Sequence, residues 1–192
     1  MGEERFISRL KQKDQSAFRE LVSEFGNKVF NTSLGILQNG VDAEDVSQEV
    51  FIEVFHSIGQ FKGEAKLSTW IYRITVTKSL EFLRKKNRQK RFAYVQSLFG
   101  MENTLSIKDQ GHFDHPGVQL ENKERAAVLF KAIDRLPENQ KSAFVLHKLE
   151  DLSYAEIAEV LKVSLSSIES LMFRAKQNLQ KLLQTYYEKN FN

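Results

Sequence analysis

Proline occurs at only two positions in this 192-residue chain, Pro116 and Pro137. Proline removes a backbone donor and clashes with the preceding helical turn, so its scarcity leaves long stretches free to be helical. The apolar residues use that freedom. Phe18, Leu21, Val22, Phe25 and Val29 recur at helical spacing, and Ala17–Leu37 reads as one or two helices. Gln38-Asn39-Gly40 breaks the pattern, a helix from Asp42 to about Ile58 follows, and the glycine-containing stretch from Gly59 to Ser68 is a loop. Thr69 to Arg91 reads as a third long helix. No strand-like alternation and no internal repeat is present.

Residues 96–120 interrupt this order with Gly100, Gly111, Gly117 and Pro116 among polar residues. We read them as a flexible tether, with a root-mean-square span of roughly 25–30 Å and a reach of about 80 Å. Periodicity returns in Glu121–Leu136, and Pro137 stands at the first-turn position of the next helix. The expected fold is all-α, with two small helical domains at 1–95 and 121–192 joined by the linker 96–120.

The chain ends on the pattern of a helix-turn-helix. Ser153-Tyr154-Ala155-Glu156 is a capping box, Lys162-Val163-Ser164 is a tight turn, and a longer amphipathic helix begins after it. Ile157, Leu161, Val163, Ile168 and Leu171 are apolar where the helix pair must bury side chains, and Ala158 stands at the crossing. The same pattern fits an ordinary helical hairpin. As a helix-turn-helix, its second helix lies in the major groove of DNA. The candidate contacts there are Ser164, Ser166, Ser167, Glu169, Ser170 and Phe173, with Arg174 and Lys176 toward the backbone.

Charge is segregated along the chain. Residues 1–61 carry 6 Lys/Arg against 10 Asp/Glu, residues 62–91 carry 10 against 2, and the remainder is nearly balanced. Adjacent blocks of opposite sign point to two different partners. In the acidic block, Asp42, Asp45, Glu49 and Glu53 line one helical face, Gln48 and Phe51 lie close by, and Val46, Val50 and Val54 form an anchoring face. Four like charges in a row repel, which a basic partner surface would relieve. A solvated face is the plain alternative.

In the basic block, Trp70, Arg73, Thr77, Glu81 and Arg84 share a line, while Tyr72, Val76, Leu80 and Leu83 form an apolar line. Phe61, Lys62 and Lys66 precede them, and the octet Arg84–Arg91 holds six cations, Arg84, Lys85, Lys86, Arg88, Lys90 and Arg91. Cations neutralise phosphates and aromatics stack on unpaired bases, so the block suits single-stranded nucleic acid. A core packing role for Trp70 and Phe61 is the alternative.

The sequence holds no cysteine, which excludes thiolate chemistry and disulfides and fits a cytoplasmic setting. No apolar run reaches the roughly 20 residues of a membrane span. No arrangement of acid, base, nucleophile or metal ligands emerges, so neither enzymatic activity nor a metal or cofactor is expected. The histidines His112 and His115 in the tether make a poor metal site.

Four strings carry a resemblance. Asp42-Ala43-Glu44-Asp45-Val46-Ser47-Gln48-Glu49-Val50-Phe51, Leu67–Ile74, Ala132–Gln140 and Leu152–Ala158, in that order, resemble the extracytoplasmic-function sigma factors of bacterial RNA polymerase. The resemblance covers nearly the whole chain outside the linker. It implies an alternative sigma factor that directs core polymerase in promoter recognition, melting and initiation.

It further implies that Asp42, Asp45, Gln48, Glu49 and Phe51 dock on the clamp helices of the largest polymerase subunit, with the flap region as a second contact. It implies that the melted minus-ten strand meets Phe61, Lys66, Trp70, Tyr72, Arg73, Ile74, Thr77, Lys78, Arg84, Lys85 and Arg88, with Phe61, Tyr72, Ile74 and Thr77 around a flipped base. The helix-turn-helix then reads the minus-thirty-five duplex, the tether follows the RNA exit path, and an anti-sigma factor is a further partner.

Thr77 stands where the family has Asn, Glu81 where it has Asp, and Lys162 where it has Gly. Glu169 and Leu171 replace basic residues of the recognition helix, so its base contacts do not transfer. A free-standing dimeric helix-turn-helix regulator and a helical protein-binding adaptor remain as alternatives at this point.

Overall fold

A computed structural model describes residues 2–98 and 123–191. The expected tether, apart from its first residues, and both of its histidines lie outside them. Among the described residues the chain forms eight α-helices and one 3-10 turn, and no strand. The N-terminal unit holds α1 (Gly2–Lys11), α2 (Gln15–Leu37), α3 (Gly40–Ser57), the 3-10 turn (Ile58–Gln60) and α4 (Leu67–Leu98). The C-terminal unit holds α5 (Lys123–Asp134), α6 (Glu138–Lys148), α7 (Tyr154–Leu161) and α8 (Leu165–Phe191).

Local chemistry sets these ends. Asp14 caps α2 by accepting from the Ser16 and Ala17 amides, and Asn39 caps α3 through Asp42 N. The Asp14 carboxyl is held well below its ordinary range by the hydrogen bonds from Ser16 and Arg9. Ala17–Leu37 proves to be one helix, closed by Gln38 in the left-handed region. Pro137 directly precedes α6, just outside its expected first-turn place. α4 runs past the expected boundary at 95, to Leu98.

Sequence reading missed α1, although its signals were present. Glu3 and Glu4 open it, Arg9 and Lys11 close it, and Phe6, Ile7 and Leu10 share a face. Leu10 is fully buried.

The N-terminal core joins Leu10, Leu21, Phe25, Val29, Val46, Val50, Val54, Ile58 and Ile71. The three valines of α3 are completely covered, as their spacing predicts. Where α2 crosses α4 the contact residues are small: Ser33, Thr75 and Ser79 are fully buried, and the Ser33 and Ser79 hydroxyls lie 3.4 Å apart.

A second core fills the C-terminal unit with Ile133, Leu146, Ile157, Ile168, Met172 and Ala175, and it also takes in Ile36, Tyr72 and Val76 of the N-terminal unit. The two units therefore pack against each other.

Candidate polymerase-binding and nucleic-acid interfaces

The acidic face of α3 is positioned by its valine stripe. Asp45, Gln48 and Glu49 are exposed, and Phe51 packs partly on the N-terminal core. The other two carboxylates are already partnered within the fold. Lys86 of α4 holds Asp42 at 2.6 Å, with the aspartate side chain only 18% exposed, and Lys78 holds Glu53 at 3.1 Å. Part of the like-charge repulsion is thus relieved internally, and Lys78 faces α3. The Glu53 carboxylate holds the Lys78 ammonium above its ordinary value.

An apolar patch adjoins Asp45 and Glu49. Ile52 is 57% exposed, Phe55 39% and Val22 45%, while the Phe18 and Phe55 rings meet at a tilt of 59° with centres 4.8 Å apart and Lys13 lies over the Phe55 ring. Sequence reading did not single out Ile52 and Phe55. Their signal was their position off the valine stripe of the same helix.

Phe61, in the loop before α4, is buried and packs against the half-buried Trp70 of α4 at 5.2 Å. Together with Lys62, Arg73 and Glu159 they line a cleft of about 550 Å³. Thr77 is exposed, with its hydroxyl donating to the Arg73 carbonyl. Lys66, Arg84, Lys85 and Arg88 are exposed.

The four residues expected around a flipped base do not converge in this structure. Phe61 and Ile74 belong to the N-terminal core, whereas Tyr72 turns into the C-terminal one. The physical reason is the second unit, which offers Tyr72 a buried site and an acceptor. Its hydroxyl donates to Glu150 Oε2 at 2.8 Å, and burial followed by that carboxylate pushes the phenol well above its ordinary range.

The helix-turn-helix forms as read. Ser153 Oγ accepts from Glu156 N, and the Glu156 carboxylate accepts from Ser153 N at 3.0 Å, which holds that carboxyl below its usual value. Ile157 and Ile168 are fully buried and Leu161 and Leu171 partly so, but Val163 is 41% exposed at the turn rather than buried. Lys162, which stands where the family has Gly, adopts the left-handed conformation at φ 55° and ψ 46°. Ser164 Oγ then caps α8 by accepting from Ser167 N at 3.2 Å.

Ser164, Ser166, Ser167, Glu169, Ser170, Phe173, Arg174 and Lys176 are all exposed. Phe173 is 63% so, and Leu165 beside the serines is 49% exposed, an apolar contribution that sequence reading passed over. The second helix of the helix-turn-helix is thus exposed, while Tyr72, Arg73 and Arg84 of the aromatic and basic helix are bonded to the C-terminal unit.

Comparison with known proteins bears on this. Residues 21–89 match the family model for Sigma-70 region 2, and residues 126–179 match that for Sigma-70, region 4. The ECF RNA polymerase sigma-E factor of Haemophilus influenzae is 32% identical over 189 residues, covering 96% of each chain. The chain belongs to the extracytoplasmic-function sigma factors.

It is an alternative sigma factor directing transcription initiation, and the free-standing regulator is not favoured. The RNA polymerase sigma-H factor of Pseudomonas aeruginosa is 28% identical over 191 residues, covering 95% of this chain and 94% of that one. In fold, the chain is similar to CnrH, solved with the cytosolic domain of CnrY, at a TM-score of 0.66 and 20% identity, covering 95% and 97% of the two chains. It is also similar to the sigma factor RpoE of Bartonella quintana, solved with the anti-sigma factor NepR, at 0.61 and 20%, covering 87% and 96%. None of the described helices is long and apolar enough to cross a membrane.

Proposed function

We propose that the two units divide the work of promoter recognition. Residues 1–95 bind core polymerase and the minus-ten element, 96–120 form the tether, and 121–192 bind the minus-thirty-five element. Asp45, Gln48 and Glu49, with Phe51 and the Lys86-paired carboxylate of Asp42, meet the clamp helices of the largest polymerase subunit. Ile52 and Phe55 add the apolar centre that a stable interface needs.

The single observation that carries this reading is α3 itself. Its valines are fully buried, yet two acidic residues and two large apolar ones are left facing solvent side by side. Phe61 and Lys66 in the loop before α4, and Trp70, Tyr72, Arg73, Ile74, Thr77, Lys78, Arg84, Lys85 and Arg88 on it, serve the melted strand. The α8 residues from Ser164 to Lys176 serve the duplex.

The protein acts in the cytoplasm without chemistry of its own, since polymerase supplies the enzyme. A solved relative of the same fold was captured with an anti-sigma factor. By extension, such a factor covers the α3 surface and keeps this chain off polymerase.

The test is core binding by the double charge reversal Asp45→Arg with Glu49→Arg, against Glu24→Arg on the exposed face of α2 as control. The double variant is expected to weaken core binding by at least about tenfold, with the control unchanged. Equal binding by all three proteins would remove α3 from the interface.

A further inference from the structure

We propose that Leu165 selects thymine in the duplex. Where the recognition helix enters the major groove, the sequence is chosen through the C5-methyl group of thymine rather than through hydrogen bonds to base edges. This rests on the assignment of α8 to the duplex given above. It adds which base is selected there and by which side chain.

Three observations support it. First, exposed apolar side chains are concentrated on the element that meets the duplex. Among the described residues of the C-terminal unit, the large apolar ones left exposed are Leu129, Val163, Leu165 and Phe173, and the last three lie on the turn and on α8.

Second, Leu165 has no inward task. Ile168 and Met172 of α8 are buried, and Leu171 packs partly against the same core. Val163 stands five residues before Ile168, on the far side of the capping residue Ser164, which is the spacing of a hydrophobic staple. That local role accounts for the covered part of Val163. Leu165 is the first residue of the helix and is 49% exposed. A first-turn position favours proline or an acidic residue, so leucine brings the helix itself no gain there.

Third, the hydroxyls on both sides of Leu165 are engaged at the helix start. Ser164 Oγ accepts from Ser167 N at 3.2 Å and lies 3.0 and 2.8 Å from the hydroxyls of Ser166 and Ser167. Leu165 is left as the large group facing solvent among them.

The chemistry then points to one base. The N-terminal residues of a recognition helix are those that meet base edges in the major groove. Thymine presents a methyl group there, and an apolar side chain distinguishes it by contact. Arg174, exposed about 13 Å farther along the helix axis, and Lys176 beyond it supply cations for the phosphate backbone.

The test uses holoenzyme assembled from the full-length chain and purified bacterial core polymerase. It selects from duplex fragments carrying a randomised upstream segment, and the bound fragments are sequenced for the parent and for Leu165→Ser. The parent should enrich thymine at one or two positions. Leu165→Ser should lose that preference and keep the others. In the best parent fragment each selected thymine is then replaced by deoxyuridine, which removes only the methyl group.

The parent should lose about fourfold in affinity at one of these positions, while Leu165→Ser should bind the two fragments alike. Equal binding of thymine and uracil fragments by the parent would overturn the proposal, and that measurement needs no variant. An equal loss in Leu165→Ser would assign the methyl contact to another side chain and overturn it as well. So would a Leu165→Ser protein that binds core itself more weakly, since Leu165 would then contact polymerase. A parent that selects no upstream sequence at all is a separate failure, that of the assignment of α8 to the duplex.

Discussion

Replacing Lys162 by glycine should stabilise the protein. Lys162 sits in the turn of the helix-turn-helix at φ 55° and ψ 46°, and the Val163 amide reaches back to the Ala158 carbonyl at 3.1 Å. An L-residue in that conformation carries a steric penalty of roughly 1–2 kcal/mol, which glycine does not. Glycine also gives the unfolded chain more freedom, which offsets about 0.4–1 kcal/mol.

The net expectation for Lys162→Gly is a gain of roughly 0.5–1 kcal/mol, or a rise in Tm of about 2–8 °C if the C-terminal unit melts by itself. Lys162→Ala keeps the strain and removes only the exposed side chain, so it should change little. Lys162→Val adds β-branching at positive φ and should destabilise by at least about 1 kcal/mol. The assay is urea denaturation of all four proteins followed by circular dichroism. If alanine stabilises as much as glycine, the side chain rather than the backbone is responsible, and the strain argument fails. A loss of stability in Lys162→Gly would refute it outright.

Three further outcomes follow from individual groups. Ser153→Ala breaks the capping box and should lower the stability of the C-terminal unit by about 1 kcal/mol, read from the same denaturation curves. Burial raises the Glu150 carboxyl to about 7, with Asp151 adding to the shift and the Tyr72 hydrogen bond and Lys28 opposing it. Opening returns it to its ordinary value near 4.5, so the closed form binds the extra proton. The packing of the two units should therefore be most stable below about pH 4.5 and weaken as pH rises through about 7, read from denaturation curves across that range, and Glu150→Gln should keep it at its low-pH strength and flatten the profile. Glu169→Arg removes an exposed anion from the recognition helix and adds a cation. Its binding to minus-thirty-five duplex should tighten and its salt dependence steepen by about one counterion, measured by titration at several salt concentrations.

Much of this was legible in the sequence because it is local. Helical spacing located the buried stripe Val46, Val50 and Val54. The capping box announced α7, and a lysine in the place of a glycine announced the strained turn at Lys162. The α1 helix was equally local and was simply passed over.

What could not be read was long-range pairing. Asp42 belongs to an acidic stripe in sequence, but its counter-ion Lys86 arrives from another helix. Gly35 looks like an ordinary weak point of a helix until Val145 and Leu149 are placed against it. Tyr72 sits on an apolar line that any core would accept. Its place in the C-terminal core, with its hydroxyl on Glu150, appears only once the two units are packed together. Val163 failed for the opposite reason. Its apolar character predicts burial, yet the turn leaves it in solvent beside Leu165.

The most direct test of the central claim is promoter opening by purified bacterial core polymerase on a pool of promoter fragments, with and without this protein. Strand opening and transcript initiation should appear only with the protein and should weaken when Asp45 and Glu49 are reversed. A core polymerase that is neither bound nor redirected, with tight duplex binding by the protein alone, would contradict the assignment.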